Sequence, residues 1–509
     1  MIKETLKSRL HELEQAISRN RLEHEKLVKE YTLLKNSLSP LTLLSDDILY
    51  LVFDLCAQFD TYPLTNRSAT LWAVSQTCQR WRNVALANPS LWRWFCIDNM
   101  EENFPKDPIS MVKTWLERSQ SVPLRCEVYV GESSDEPEDR EIEETILKLL
   151  MNECHRLIEL DLNVDARVDL YYSFATKRTS FPLLRNLEVS VCPPDEPRDS
   201  VSPPDFCDPL EAPGLTNASI NTYTHTGSLI RAIPTIPLPW HQLTRYTCVY
   251  YPDREFFDIA AKLCNLQSLE LDVEHDSPLS QDIPHVTLPG LRSVRLKRGE
   301  LYTAIAFMDH VTFPVLESLE VKLHYQAIDS DEAADSLLQA VSSLQHRSSC
   351  QLQELTVRPG AITSPNSPRL SLSTVRILHL SIDDEEDLDP VQLRALDALQ
   401  STSLFPGLTT LHIEADRWSS SRPVWHRNDL IPALVKTIEA RRTKASINTT
   451  QLASMRFDWR VYSERSLGLK PVRIPHDLPA YQRLLELRRD GFRLSGSAFS
   501  HASDDNLGN

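Results

Sequence analysis

The stretch SPLTLLSDDILYLVFDLC, residues 39–56, followed after a polar insertion by LWAVSQTCQRWRNVALANPSLWRWFCID, residues 71–98, decides the first part of the fold. Both halves place apolar residues at helical spacing. Ser45 can cap the first helix, and Pro89 breaks the second. We predict a very small domain of three short helices with two apolar stripes: Leu44, Ile48, Leu51, Val52 and Leu55 in the first, and Leu71, Val74, Ser75, Cys78, Trp81 and Val84 in the second.

These residues resemble the F-box found in fungal proteins that also carry leucine-rich repeats. The resemblance rests on LLSDDILYLVF, residues 43–53, and on the Cys-x-x-Trp block within VSQTCQRWRNVALANPSLW, residues 74–92. The family usually has Leu-Pro at the helix start, where this chain has Leu44 and Ser45. Two ordinary amphipathic helices of a larger helical domain are the alternative interpretation.

The resemblance implies a partner, because an F-box docks on the small adaptor (Skp-type) subunit of a cullin-type ubiquitin ligase. A domain this small buries little surface, so an exposed apolar face on it is expected to be a docking surface. Carried over to matching positions, the implied adaptor-binding residues are Leu44, Ile48, Leu49 and Phe53 in the first helix, and Val74, Cys78 and Trp81 in the second half.

Residues 2–35 carry an unbroken heptad pattern, with steps of four and three and no Gly or Pro. Asn20 and His24 lie on the same seam, where polar groups can fix register and partner number. The pattern predicts a coiled-coil helix over residues 1–37 that either self-associates or packs against the rest of the chain. The seam consists of Leu6, Leu10, Leu13, Ile17, Asn20, His24, Leu27, Tyr31 and Leu34.

From residue 155 the chain repeats one pattern: an apolar residue, two positions, an apolar residue, one position, and an apolar residue. PLLRNLEV, residues 182–189, and CNLQSLEL, residues 264–271, are clear copies among eleven. The alternating end is typical of a strand with one buried face, and such strands stack into a parallel sheet. The copies resemble an irregular leucine-rich-repeat array over about residues 120–460. An α/β domain of another topology is the alternative.

The third and fifth positions of each repeat point away from the buried face, so they predict an exposed sheet surface. Small neutral residues and carboxylates occupy these positions. We expect either an acidic face that binds a basic segment of a protein substrate or a merely solvated face. The candidate substrate-binding carboxylates are Glu159, Asp161, Glu188, Glu270 and Glu320.

Composition excludes several functional classes. The net charge of −17 argues against nucleic-acid and anionic-membrane partners. Only 11 of 509 residues are Gly, and the chain has no phosphate-cradling glycine motif. The ten cysteines are scattered without metal-ligand spacing, which indicates reduced thiols in the cytoplasm, the nucleus or both. With no hydrolase or metalloprotease motif, we expect no catalytic residues, no bound metal and no cofactor.

The sequence therefore predicts an α+β repeat protein. Its parts are a coiled-coil helix (1–37), an F-box of three helices (38–100), a leucine-rich-repeat-like α/β solenoid that binds substrate (101–494) and a disordered tail (495–509). The expected function is that of a non-catalytic substrate-recognition adaptor of a ubiquitin ligase. A repeat scaffold that binds protein outside any ligase is the alternative.

Overall fold

The computed structural model describes residues 2–37, 43–58, 70–98, 107–129, 137–165, 180–192, 210–222, 238–249, 254–272, 283–297, 299–323, 331–362, 371–382, 390–417, 430–443, 449–463, 468–471 and 478–497. Within these ranges the chain is mixed α/β, with twelve α-helices and a large, open, mainly parallel sheet. It divides into two compact units, residues 1–150 and 151–509. The sequence analysis had placed residues 101–150 with the repeats.

The first unit is mainly helical, and its two strands pair in parallel. Its elements are α1 (Ile2–Ser37), α2 (Asp46–Gln58), α3 (Thr70–Thr77), α4 (Gln79–Ala87), β1 (Trp94–Asp98), α5 (Pro108–Ser119), β2 (Leu124–Tyr129) and α6 (Pro137–Asn152).

The second predicted apolar stripe is divided between two helices, because the chain breaks at Cys78. The backbone of Cys78 is extended, and its Sγ accepts a hydrogen bond from the Trp81 N–H at 3.5 Å. Cys78 is therefore the N-cap of α4 rather than a member of one continuous helix, as the stripe had implied. α4 ends at Ala87, two residues before Pro89, as predicted.

Three tryptophans form the centre of the first unit. Trp92 and Trp115 meet edge to face at 4.8 Å, and Trp72 lies 5.8 Å from each of them. Both buried indole N–H groups are satisfied: Trp92 donates to the Ala85 carbonyl and Trp115 to the Trp92 carbonyl. Aromatic edge-to-face pairs stabilise a core beyond their buried area. This cluster compensates for the small size of the unit.

The second unit is a stack of short strands with helices between some of them. Its elements are β3 (Leu157–Asp165), β4 (Asn186–Cys192), β5 (Asn217–Thr222), β6 (Arg245–Val249), α7 (Arg254–Ala260), β7 (Ser268–Asp272), β8 (Val286–Thr287), β9 (Ser293–Lys297), α8 (Leu301–Asp309), β10 (Val311–Thr312), β11 (Ser318–Lys322), α9 (Asp331–Ser348), β12 (Glu354–Val357), β13 (Ile377–Ile382), α10 (Pro390–Leu399), β14 (Thr410–Arg417), α11 (Leu430–Thr443), β15 (Ser454–Ser463), β16 (Gly468–Pro471), α12 (Pro479–Arg489) and β17 (Arg493–Ser495).

The predicted parallel sheet is confirmed. Each of the eleven repeated segments ends in a strand, and those strands pair in parallel in chain order from β3 to β15. The short strands β8 and β10 pair only with each other. Beyond β15, β16 pairs antiparallel and β17 parallel.

The leading apolar residue of each copy anchors the turn into its strand, as predicted. All eleven anchors are buried, and the residue after each anchor from Leu184 onwards donates its N–H to a carbonyl of the preceding coil at 2.8–3.0 Å. This backbone ladder holds successive coils in register without side-chain help. The anchors are Leu157, Leu184, Leu215, Leu243, Leu266, Leu291, Leu316, Leu352, Val375, Leu408 and Leu452.

The start of the predicted tail is ordered. Ser495 belongs to β17, and the next residue, Gly496, has φ +111 and lies against the Phe457 backbone. A Cβ at that position would lie 2.2 Å from the Phe457 carbonyl oxygen, so only glycine fits there. Residues 498–509 lie outside the described ranges.

Candidate functional site

The most conspicuous surface of the first unit is an apolar strip along α2, which we call the α2 strip. It consists of Ile48, Leu51, Val52 and Leu55, whose exposed fractions are 44 to 57%. Their i, i+3, i+4, i+7 spacing places them on one helix face. Leu43, just before the helix, is 87% exposed. The strip that sequence analysis treated as an amphipathic stripe is therefore a surface feature.

The opposite face of α2 makes the core. Leu49 and Phe53 are 1% exposed, and the Phe53 ring packs on Trp81 with centroids 5.2 Å apart. Val74 is also buried. The structure thus separates the seven predicted adaptor-binding residues: Ile48 is exposed on the α2 strip, Leu49, Phe53 and Val74 are interior, and Leu44, Cys78 and Trp81 are half-buried.

Polar contacts fix the start of α2. The Ser45 Oγ accepts from the Ile48 N–H at 3.4 Å, so Ser45 acts as the predicted N-cap. Arg80 of α4 donates to the Asp46 carboxylate at 2.8 Å and to the Leu44 carbonyl. These contacts tie α2 to α4 and hold the α2 strip in a defined orientation.

A cation lies over the tryptophan cluster. The Arg118 guanidinium is 4.5 Å from the centre of the Trp92 ring and 5.0 Å from that of Trp72. Burial lowers the pKa of Arg118, and the nearby Glu117 partly opposes this. The cation–π contacts help to offset the loss of hydration. Sequence analysis did not find this arrangement, because its two rings are 20 residues apart in the chain.

The outer face of the sheet carries the predicted substrate-binding carboxylates. In register, Glu159 lies beside Asn186, and Asp161 lies beside Glu188. The Glu188 carboxylate accepts from Ser219 at 3.4 Å and from Asn221 at 3.2 Å, both on β5. Negative charge therefore gathers on β3 and β4, next to neutral hydrogen-bonding side chains.

Farther along, on β7, β9 and β11, cations accompany the carboxylates. Arg295 of β9 lies between Glu270 at 3.3 Å and Glu320 at 3.4 Å. Lys297 contacts Glu270 at 2.5 Å, and Lys322 contacts Glu320 at 3.2 Å. Burial alone would raise the pKa of Glu270, but bonds from Lys297 and Arg295 outweigh it and lower that pKa.

This part of the face is mixed in charge rather than acidic. Sequence analysis missed the cations because it examined the outward positions of only some copies. The same rule applied to PGLRSVRL, residues 289–296, would have identified Arg295 at its fifth position.

A third group of polar side chains lies on β12 to β15. His379 and His412 lie side by side with their Nδ1 atoms 2.6 Å apart. His379 Nε2 is 2.7 Å from Glu354, and His412 Nε2 is 3.1 Å from Asp458. A neutral His379 satisfies its contacts by donating from Nε2 to Glu354 and accepting at Nδ1 from His412. Burial, and then the proximity of His412, lower the pKa of His379; the carboxylates of Glu354 and Glu414 oppose this.

Asp458 ends this chain of contacts. Burial alone would raise its pKa, but bonds from the Ser497 N–H, Arg456 and His412 lower it. Sequence analysis placed His379 and His412 at outward strand positions but could not place them side by side.

Among the described residues, no group of three or more His, Cys, Asp or Glu side chains is arranged to hold a metal ion. In the same ranges, no helix combines the length and apolar character needed to cross a membrane. No family model matches this chain, and no curated protein matches it either.

Proposed function

We propose that this protein is a non-catalytic substrate-recognition adaptor of a cullin-type ubiquitin ligase. In this proposal α2, α3 and α4 form an F-box that docks on the small adaptor subunit, and the stacked coils of the second unit form a leucine-rich-repeat-like solenoid that binds a protein substrate. The observation that carries the proposal is the α2 strip. It is an exposed apolar face on a helix whose sequence resembles the docking helix of the F-box family.

The size of the α2 strip suits a specific docking contact. Fully burying a Leu, Ile or Val side chain stabilises a complex by roughly 1.5–3 kcal/mol. About half of each strip side chain remains exposed. Each therefore has ~1 kcal/mol left to contribute, and the four together ~4 kcal/mol, or about a thousandfold in Kd.

The structure narrows the set of residues proposed to touch the adaptor subunit. Leu49, Phe53 and Val74 support the strip from inside the unit, since their side chains are buried. Leu51, Val52 and Leu55 replace them as direct contacts, together with Ile48. Ser45 supplies the helix start that the family's proline usually supplies.

The outer face of the sheet is the proposed substrate surface. Asp161 and Glu188 make its β3–β4 end acidic, which favours a basic substrate segment there. Glu270 and Glu320 are already paired with Arg295, so they favour a substrate that competes with that arginine. The proposed ligase role needs no catalytic group in this chain, because the adaptor acts by raising the local concentration of substrate.

The test is co-purification of the full chain with the small adaptor (Skp-type) subunit. The wild type is expected to bind, and Ile48→Asp combined with Leu51→Asp is expected to weaken binding at least a hundredfold. Leu183→Asp is the matched control, since it introduces one charge at an exposed leucine of the second unit. Circular dichroism verifies that each variant is folded.

A wild type that does not bind the adaptor subunit would refute the ligase role. It would favour the second candidate, a repeat scaffold that binds protein outside any ligase. That candidate rests on the sheet face alone, whose outward side chains form a continuous polar surface from β3 to β15.

A further inference from the structure

α1 presents a long apolar seam to solvent. It has 36 residues, so it is about 54 Å long. Its apolar seam residues Leu6, Leu10, Leu13, Ile17, Leu27 and Tyr31 are 48 to 66% exposed. Most helices in proteins derive their stability from packing such a face. The seam is sustained for more than four heptads, which is typical of a helix that pairs with another helix.

We propose that α1 pairs with α1 of a second copy of this chain to form a parallel, in-register, two-stranded coiled coil. In the heptad frame, Leu10, Ile17, His24 and Tyr31 occupy a positions, and Leu6, Leu13, Asn20, Leu27 and Leu34 occupy d positions. Leucine at most d positions and a β-branched residue at an a position suit a dimer. This inference does not depend on the ligase role.

The polar seam residues favour the parallel arrangement. In register, Asn20 faces Asn20 of the second copy and His24 faces His24, so each polar group meets a polar group. One antiparallel register that keeps a opposite d places Asn20 against Ile17 and His24 against Leu13. Those layers bury polar groups against apolar ones, which is unfavourable.

The flanking charges exclude the other antiparallel register. That register pairs Asn20 with His24 but brings Arg21 against Arg21 and Glu23 against Glu23 of the second copy. In the parallel arrangement the g-to-e pairs are Arg9 with Glu14 and Glu30 with Lys35, which are attractive, and no like charges meet. Arg9 bonds Glu12 of its own helix at 2.8 Å, an exposed pair that an interhelical partner can replace.

The first experiment measures the mass of the full chain in solution by sedimentation equilibrium. The wild type is expected to be a dimer at micromolar concentration. Leu13→Asp combined with Ile17→Asp is expected to weaken self-association at least a hundredfold. Leu22→Asp is the matched control, because Leu22 is 60% exposed on the same helix but lies at an f position, away from the seam. This variant should remain dimeric.

Two results would overturn the proposal. One is a monomeric wild type at micromolar concentration. The other is a dimer that the Leu13→Asp, Ile17→Asp variant leaves intact, or that Leu22→Asp disrupts equally. Binding of the adaptor subunit is measured separately, so failure of the dimer and failure of the ligase role are distinguishable.

The orientation is tested by cross-linking. Tyr31→Cys is expected to form an intermolecular disulfide under mild oxidation, because the two copies of residue 31 face each other in the parallel dimer. In either antiparallel register they would be at least ~25 Å apart. The wild type and Leu22→Cys serve as controls for background from native cysteines. A dimer in which Tyr31→Cys cross-links no more than these controls would refute the parallel arrangement.

Discussion

Replacing Arg441 with methionine is expected to loosen the packing between α10 and α11. Arg441 lies on α11 and is 0% exposed. Its guanidinium donates to the carbonyls of Leu399 at 2.5 Å, Ser401 at 2.6 Å and Phe405 at 2.7 Å. Leu399 is the last residue of α10, where carbonyls lack helical partners and a cation is favourable.

The magnitude follows from two opposing terms. Hydrogen bonds to a charged group contribute roughly 1.5–3 kcal/mol each, so three contribute roughly 5–9 kcal/mol. Burial lowers the pKa of Arg441 to about 10, a desolvation cost of ~3 kcal/mol. The Ser401 carbonyl is only partly buried, so water can replace that bond. We therefore expect Arg441→Met to cost about 2–4 kcal/mol.

Hydrogen exchange followed by mass spectrometry measures this cost locally. Peptides from α10 and α11 are expected to exchange about 30- to 1000-fold faster in the variant, since each 1.4 kcal/mol is a factor of ten. Peptides from α5 in the first unit should be unchanged. Arg442→Met is the matched control, because the neighbouring Arg442 is half-buried and bonds only the Leu487 and Asp490 carbonyls, at 3.5 and 3.2 Å.

Arg441→Lys should give an intermediate effect. It keeps the charge, but one ammonium group cannot reproduce the planar fork of donors. Equal exchange in Arg441→Met and Arg442→Met would refute the reasoning, because it would mean that the three carbonyls gain nothing from the buried cation.

Two further outcomes are expected. Acidification from about pH 7.5 to about pH 5.5 should lower the thermal midpoint of the wild type more than that of His379→Gln. Burial and His412 lower the pKa of His379, so the stability it contributes is complete above its ordinary value near 6.5 and is lost as the pH falls through its folded-state pKa; equal losses would contradict this. On the sheet face, binding of a fluorescent Lys/Arg-rich peptide at low salt should weaken at least tenfold when Glu188, Glu270 and Glu320 are all changed to Lys. It should tighten in Arg295→Ala, which frees two carboxylates. Unchanged polarisation curves in both variants would rule out a basic substrate segment on this face.

The elements that depend on local pattern were predictable. The apolar anchors, the alternating strands and their parallel order all follow from a spacing contained within eight residues. The same holds for α1 and for the start of α2, where Ser45 and the acidic first turn lie side by side in the chain.

The site was only partly predictable, because α2 is apolar on two faces. Leu49 and Phe53 compete with Ile48, Leu51, Val52 and Leu55 for the interior, and helical spacing cannot choose between the two sets. Packing on Trp81, 28 residues later, decides that Leu49 and Phe53 are buried and leaves the α2 strip at the surface.

By itself, then, the sequence determined the kinds of element in this protein, their order and which residues anchor each coil, because each of these depends on neighbours within a turn or a strand. Only the tertiary structure decided which apolar face of α2 is exposed, that Arg295 lies between Glu270 and Glu320, and that His379 meets His412. Those outcomes depend on register between strands 25 to 33 residues apart, and on helices packing across a masked stretch of sequence distance that no local period encodes.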